Sequence, residues 1–429
     1  MLATRQIEQS NEKKFERGSG QVARTVTLGE GTWCEAYPST RPDLPAEKDF
    51  FVSRLSKHAI DGSERPKKRL TYIDLFCGGG GLSLGVNQAA RFLNRAPKLL
   101  AAADIDKIAL QLVEKQFRPL ISRPKSVEDL LRYDVDLSGN YSDFVVEPEI
   151  TDSQISQFKG KVDLLVGGPP CQGHSNLNNK TRRFDQRNLL YFVMPAFAVA
   201  LKIPYVIIEN VPSINQARED VVGITRKIFE SRGYAVEDAV LNSADFGVAQ
   251  TRSRHFLVAS RVSAPKLKES IDIFSTDPIS FDEACVPMPP LDEALSALEE
   301  NGQLSAENVS RIEYLHENDL FNLPNKERPV CHQESHTYPS VYGRIRGDLP
   351  MTTITTGFGS PGRGRFIHPH ERRVINIREA GRVQAFPDWY WEPAVQTGFK
   401  KAHFQKIIGD AVPPLFAYPL LTSLIAHEV

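Results

Sequence analysis

From Leu70 to Ser260 short apolar runs alternate with helix-length stretches, and this alternation constrains the chain more than any other feature. Tyr72–Phe76, Leu99–Ala103, Val162–Val166 and Tyr205–Ile208 are the runs, and helical stretches follow at 82–95, 107–117, 187–201 and 218–232. Strands that are apolar on both faces can be buried only in a parallel sheet with helices covering each side. Ala235–Leu241 and Phe256–Ala259 suit a closing hairpin, which makes the expected sheet mixed. The predicted fold class is α/β, with helices on both faces.

The rest of the chain divides by composition. Residues 1–69 are polar and weakly periodic and end in the basic run Arg65-Pro-Lys-Lys-Arg69. They read as an N-terminal extension or arm of unknown role, the basic run as a solvated linker, with a nuclear-localisation reading left open. The catalytic and cofactor-binding domain is expected at 70–260, a smaller loop-rich lobe at 261–373, and a helical segment returning to the first domain at 374–429. Within the lobe, residues 266–325 hold thirteen acidic residues against three basic ones, and residues 326–373 hold eight basic against four acidic. That reversal predicts one acidic face and one basic face. Overall charge is −1, so net charge names no partner. No apolar run approaches the ~20 residues needed to span a bilayer, and the first residues lack a signal-peptide core. Five scattered cysteines without a Cys-x-x-Cys pair argue against a disulfide framework or a structural zinc site, and no metal is expected. The chain reads as cytoplasmic.

Five blocks carry chemistry. Asp74-Leu-Phe76-Cys-Gly78-Gly-Gly80-Gly81-Leu82 runs from a strand through a glycine turn into a helix, which suits close approach of a ligand to the backbone. The dinucleotide pattern G-x-G-x-x-G fails at every register and a phosphate loop is absent, which disfavours nicotinamide and ATP chemistry. Asp104 or Asp106, at the end of the next strand, is placed to bind ribose hydroxyls, and either could instead cap the following helix. Gly-Gly-Pro169-Pro-Cys171-Gln172-Gly-His-Ser175 puts a cysteine at the carboxyl end of a strand, between features that favour a thiolate nucleophile. Glu209 follows four apolar strand residues, where poor solvation raises a carboxyl pKa toward general-acid use. Gln250-Thr-Arg252-Ser-Arg254 presents alternate polar side chains on one strand face.

In this order the blocks resemble the DNA (cytosine-5) methyltransferases, over residues ~70–260 and ~340–429. The resemblance implies a Rossmann-like class I methyltransferase fold with a target-recognition lobe. It also implies S-adenosyl-L-methionine as cofactor, S-adenosyl-L-homocysteine as product and double-stranded DNA as partner. Cys171 would be the nucleophile, with Glu209, Arg252 and Arg254 completing the catalytic set. The cofactor would be held by Asp74, Phe76, Gly78, Gly80, Gly81, Leu82, Asp104, Ile105, Glu149, Ile150, Pro169, Asn188, Leu190, Asp410, Ala411 and Val412. Gln172, Ser175, Gln250, Arg344, Arg346, Arg363 and Arg365 would contact DNA. Asp185-Gln-Arg-Asn188-Leu-Leu190 is similar to the helix start bordering the cofactor, and Arg378-Glu379 to Asp388 is similar to the motif that supports the lobe. Gly409-Asp410-Ala411-Val412-Pro-Pro resembles the closing motif, although the family usually has Asn at position 410 and Glu at position 104.

The implied reaction adds Cys171 to C6 of a cytosine flipped out of the duplex, with Glu209 at N3 and Arg254 at O2. The enzyme is expected to work as a monomer on DNA, with no membrane; a cognate restriction enzyme is a partner the sequence leaves open. Three other readings stay open: a tRNA cytosine-5 methyltransferase, a catalytically weak DNA-binding relative, and a nicotinamide dehydrogenase. The ~110-residue lobe favours DNA over tRNA. Glu209 is expected to have no charged partner.

Overall fold

A computed structural model describes residues 11–60, 66, 68–136, 143–170, 186–217, 220–333 and 340–426. Three strands open the chain, β1 (Glu12–Gly18), β2 (Gln21–Leu28) and β3 (Gly31–Pro38), followed by helix α1 (Ala46–Ser53). The central domain then runs through β4 (Lys68–Leu75), α2 (Gly81–Phe92), β5 (Arg95–Ala103), α3 (Lys107–Phe117), β6 (Ile121–Arg123), the hairpin β7 (Leu131–Val135) and β8 (Phe144–Ile150), and the short α4 (Ser153–Ser156). It continues through β9 (Leu164–Gly167), α5 (Val193–Leu201), β10 (Tyr205–Asn210), α6 (Val221–Ser231), β11 (Ala235–Asn242), β12 (Gln250–Thr251) and β13 (Ser253–Ser260). Then come α7 (Leu267–Phe274), α8 (Phe281–Cys285), α9 (Ala306–Glu317), β14 (Met351–Thr352), α10 (Ile377–Val383), α11 (Glu392–Gln396), α12 (Lys401–Asp410) and α13 (Ala417–Ile425).

Seven strands form the main sheet in the order β11-β13-β10-β9-β4-β5-β6. Strands β10, β9, β4, β5 and β6 are parallel, and β13 runs antiparallel to both β10 and β11. The α/β expectation and its closing hairpin therefore hold, with β6 and the β7–β8 hairpin as additions that were too short or too polar to stand out. Chain order reverses between β4 and β9, which opens a crevice at their carboxyl ends where α/β sheets place ligands. One core cluster joins the N-terminal strands, α2, α13 and one sheet face; a second lies on the other face around Tyr191–Leu201 and α6.

The N-terminal stretch is not a loose arm. In β2 the inward positions are Val22, Arg24, Val26 and Leu28, all buried. Arg24 occupies an expected apolar position, which is why the period-2 pattern was hidden. Its guanidinium pairs with Glu35 and lies 4.6 Å from the Tyr418 ring and 5.0 Å from that of Phe50, so charge and π-faces replace aliphatic packing. The apolar stretch Lys401–Ile425 is long enough by length and composition to cross a membrane, but 89% of its apolar window is buried and it breaks between α12 and α13.

The lobe has its own small core of Ile312, Leu315, Leu323, Val341, Tyr342 and Ile367. Leu267, Phe274 and Phe281 of α7 and α8 pack instead into the main core.

Candidate active site

The crevice is floored by the glycine turn after β4. Gly78 has φ +49° and open space where a Cβ would be, and its N–H donates to Asp104 Oδ2 at 2.7 Å. Gly81 needs the absence of a Cβ for another reason: one would lie 2.3 Å from the Val412 carbonyl. The 411–414 segment is thus seated directly on the turn. The glycine block is thus divided: Gly78 stands beside open space, whereas Gly81 and Gly85 accommodate the returning chain.

Asp74 is fully buried below the turn, where Oδ2 accepts from Ser83 Oγ at 2.6 Å and Oδ1 has no hydrogen-bond partner among the described residues. Burial pushes its carboxyl up to about 7. The two aspartates after β5 separate cleanly. Asp106 caps α3 through the N–H groups of Ile108 and Ala109, whereas Asp104 accepts from Gly78 and Asp106 N–H and remains partly open to the crevice. Burial also raises the Asp104 carboxyl. Between them Ile105 is 75% exposed, an apolar platform for a flat ring. Phe76 has φ +55°, Leu82 is buried, and Leu190 packs partly against the second core cluster. Glu149 is drawn into a surface ion pair with Arg132 at 2.6 Å, beside Ile150 on β8. Asp410 is exposed at the end of α12. Lys406 Nζ reaches both Asp410 and Asp106 at 3.0 Å, a bridge over the turn that no motif announced, although the i,i+4 spacing was visible.

At the adjoining strand ends, Glu209 is 8% exposed and not alone. Arg254 Nε lies 2.8 Å from its Oε1, which corrects the expectation of a partnerless carboxylate. A Cβ on Gly168 would lie 2.8 Å from Glu209 Oε2, and Asn210 Nδ2 donates to the Pro169 carbonyl at 3.1 Å. The root of the Pro169-Pro170 loop is therefore fixed against the acid by two neighbours on β10. The apolar run before Glu209 gives no sign that Asn210, the next residue, holds the loop. Cys171, Gln172 and Ser175 lie outside the described residues, as does the side chain of Asn188. Cys77 and Cys285 are buried, and burial pushes both thiols up, which suits neither for thiolate chemistry.

A family model described as C-5 cytosine-specific DNA methylase matches residues 70–426. The type II methyltransferase M1.BsuMI of Bacillus subtilis is 38% identical over 96% of this chain and 95% of its own. M1.HphI of Haemophilus parahaemolyticus is 27% identical over 88% and 90%. A solved structure of a prophage-encoded DNA modification methyltransferase from E. coli superposes with TM-score 0.53 at 23% identity, covering 82% of this chain and 98% of that one. The chain belongs to the C-5 cytosine-specific DNA methylases.

In this methylase several residues expected at the substrate are otherwise engaged. Gln250 is 0% exposed, accepting from Ile354 N–H at 2.8 Å and donating to Gln384 Oε1 at 2.9 Å, so it is not free to touch DNA. Arg252 is buried, with Nη1 donating to Ile354 O at 3.0 Å and Nη2 to Gly409 O at 3.2 Å; neither bond reaches a phosphate. The shared strand face breaks at Arg252, between β12 and β13, so only Arg254 turns to Glu209.

In the lobe, Arg344 is buried, pairs with Asp319 at 2.5 Å and lies 4.6 Å over the Phe321 ring. Arg365 donates to Phe321 O, Arg344 O and Asn322 Oδ1. Arg372 pairs with Glu317. Arg344, Arg365 and Arg372 are thus engaged by groups of the 266–325 stretch, so these three arginines do not form a free basic face. Of the four arginines expected at DNA, Arg346, paired with Asp348 at 3.2 Å, and Arg363 are exposed.

A cavity of about 490 Å³ lies apart from these groups, lined by 285–291 and 368–379. His368, Glu371 and Glu379 converge there. His368 Nδ1 accepts two backbone N–H groups and Arg373 binds both carboxylates, an arrangement already complete without a cation.

Proposed function

We propose that this methylase transfers a methyl group from S-adenosyl-L-methionine to C5 of a cytosine flipped out of double-stranded DNA, through a covalent bond between Cys171 and C6. The observation that carries the reading is the buried Glu209–Arg254 pair set against Gly168, at the root of the loop that leads to Cys171.

The residues at the glycine turn fit the cofactor. Gly78 leaves room for an approaching ligand, Asp104 suits ribose hydroxyls, exposed Ile105 offers a face to adenine, and Asp74 Oδ1 leaves a buried acceptor unused beneath the turn. Leu82, Pro169, Leu190 and Val412 would close around it. When bound, S-adenosylmethionine supplies an electrophilic methyl group.

Cytosine C5 is a weak nucleophile, and addition of a thiolate at C6 makes it an enamine carbon. Cys171 forms the S–C6 bond, and the displaced π electrons move to N3. Glu209 holds the proton at N3, and the carboxylate that results is stabilised where it stands by Arg254. Arg254 also supplies N–H groups for the base carbonyl O2. Water takes the C5 proton, Cys171 leaves as the thiolate, and the N3 proton returns to Glu209, which restores the ring, the thiolate and the acid. The target must leave the stack, since no side chain reaches C6 within a duplex.

Two experiments test this. Cys171→Ser should abolish transfer while S-adenosylhomocysteine binding persists, and duplex DNA carrying 5-fluorocytosine should trap a denaturation-resistant adduct; turnover by the serine variant removes Cys171 from the reaction. A transfer RNA offered in the same assay separates the DNA and RNA readings. Because similar enzymes are named type II methyltransferases, a cognate restriction endonuclease is the proposed partner, tested by loss of host DNA protection when this chain is removed.

A further inference from the structure

We infer that Gln250 and Arg252 are positioning residues that lock the recognition loop 351–363 to the strand carrying Arg254, so that seating of the loop on DNA and assembly of the Glu209–Arg254 pair are coupled. The inference rests on the DNA methylase reading above.

The backbone link between the two regions is slight. Strands β12 and β14 pair over two residues, Gln250 with Met351 and Thr251 with Thr352, and Met351 N donates to Ala249 O at 2.9 Å. So short a ladder is marginal by itself. Side chains supply the remainder. Gln250 Oε1 accepts the Ile354 N–H at 2.8 Å, and Arg252 Nη1 donates to the Ile354 carbonyl at 3.0 Å. Both polar groups of one buried peptide residue are therefore held by side chains two positions apart. Thr353 Oγ1 adds a bond to Thr251 O at 2.8 Å.

The same two side chains continue into the C-terminal helices. Gln250 donates to Gln384, whose own Nε2 donates to Ile408 O at 2.7 Å, and Arg252 donates to Gly409 O. A Cβ on Gly409 would lie 2.3 Å from Thr356 N, so α12 forms a close backing for the loop. A shift of the loop by an ångström would strand buried donors and acceptors with no water to replace them, which makes the link stiff.

Beyond the clamp the loop presents Thr352, Thr356, Ser360 and Arg363 to solvent. These hydroxyls and one guanidinium are donors and acceptors suited to base edges and phosphates. In the other direction Arg254 follows Arg252 by two residues and holds Glu209. A mismatched base pair that unseats the loop would be felt at the catalytic pair through Ile354, which turns recognition into a condition for catalysis.

The test treats unmethylated plasmid DNA with the full-length enzyme and with Gln250→Met, Arg252→Lys and Thr353→Val, followed by bisulfite sequencing. The motif methylated fastest by the wild type defines the cognate site. For Gln250→Met and Arg252→Lys, the ratio of cognate rate to the rate at sites differing by one base pair should fall about tenfold, the scale of a lost buried hydrogen bond. S-adenosylhomocysteine affinity, read by calorimetry, should change less than twofold. A variant that is only partly unfolded slows all sites together and leaves the ratio unchanged; that result overturns the inference. Thr353→Val removes one exposed link without touching the core, so it reports even where a core variant does not fold, and an unchanged ratio there also counts against the clamp. Absence of cytosine methylation by the wild type would overturn the function reading itself, a result distinct from an unchanged ratio.

Discussion

The glycine turn and the lobe at 261–373 are both rich in residues of the expected type, yet they use them differently. At the turn, the backbone itself makes the site: Gly78 N–H, the Asp104 carboxylate and the exposed Ile105 stand where the strand ends put them. In the lobe, long side chains decide the outcome, and Arg344 and Arg365 turn inward to Asp319, Asn322 and backbone carbonyls. A site built from strand ends has few alternatives, because each Cα position dictates where its short side chain goes. An arginine spans enough distance to choose among several partners, and burial selects the one that satisfies its donors.

The largest effect should come from the Glu209–Arg254 pair proposed to be catalytic. Arg254→Leu should slow single-turnover methyl transfer by roughly 10²-fold or more, the scale for losing a preorganised charge, with S-adenosylhomocysteine affinity little changed. Glu209→Gln should slow it on the same scale. Because Arg254 would then keep a partly buried charge with a weaker partner, we expect a lowered melting temperature, where a partnerless carboxylate would have given a rise. Equal rates for wild type and either variant would place the chemistry elsewhere.

A second contrast sets stability against pH. Asp74 has a folded pKa of about 7 against 3.8 for its ordinary value. Its contribution is therefore fully present below about pH 4 and is lost as pH rises through 7, since the buried carboxylate is then charged. Asp74→Asn should abolish that loss and be the more stable protein at pH 8, by about 4 kcal/mol at most. Paired thermal melts from pH 4 to pH 8 check it; parallel curves would mean that Asp74 is solvated or partnered when folded.

Within the lobe the arginines should divide. Arg344→Leu should cost stability, about 1–3 kcal/mol for a buried guanidinium that loses its hydrogen bond and its contact with the Phe321 ring, and leave the salt dependence of DNA binding as it is. Arg363→Ala should leave stability unaltered and reduce the salt slope by about 1. If Arg344→Leu flattens the slope instead, its pairing with Asp319 gives way on DNA and the basic-face reading returns. Smallest of all, Asp410→Asn should weaken cofactor binding by less than about fivefold, with the difference vanishing at high salt, because the Lys406 bridge is half exposed.

Much of this enzyme was legible in its residues alone. Apolar strands of four to five residues between helices required a doubly covered sheet, and the glycine turn, Asp104 and Glu209 fell at strand ends because a strand fixes each residue to one face and one height. Arg24 hid the N-terminal sheet, since a buried cation matched by Glu35 and aromatic rings looks polar in a list of residues. The fates of Gln250, Arg252 and Arg344 were decided only by tertiary structure. Their partners Ile354, Gly409 and Asp319 lie 104, 157 and 25 residues away, and no local pattern records which distant backbone group or carboxylate will arrive within reach of a flexible side chain once the core has closed.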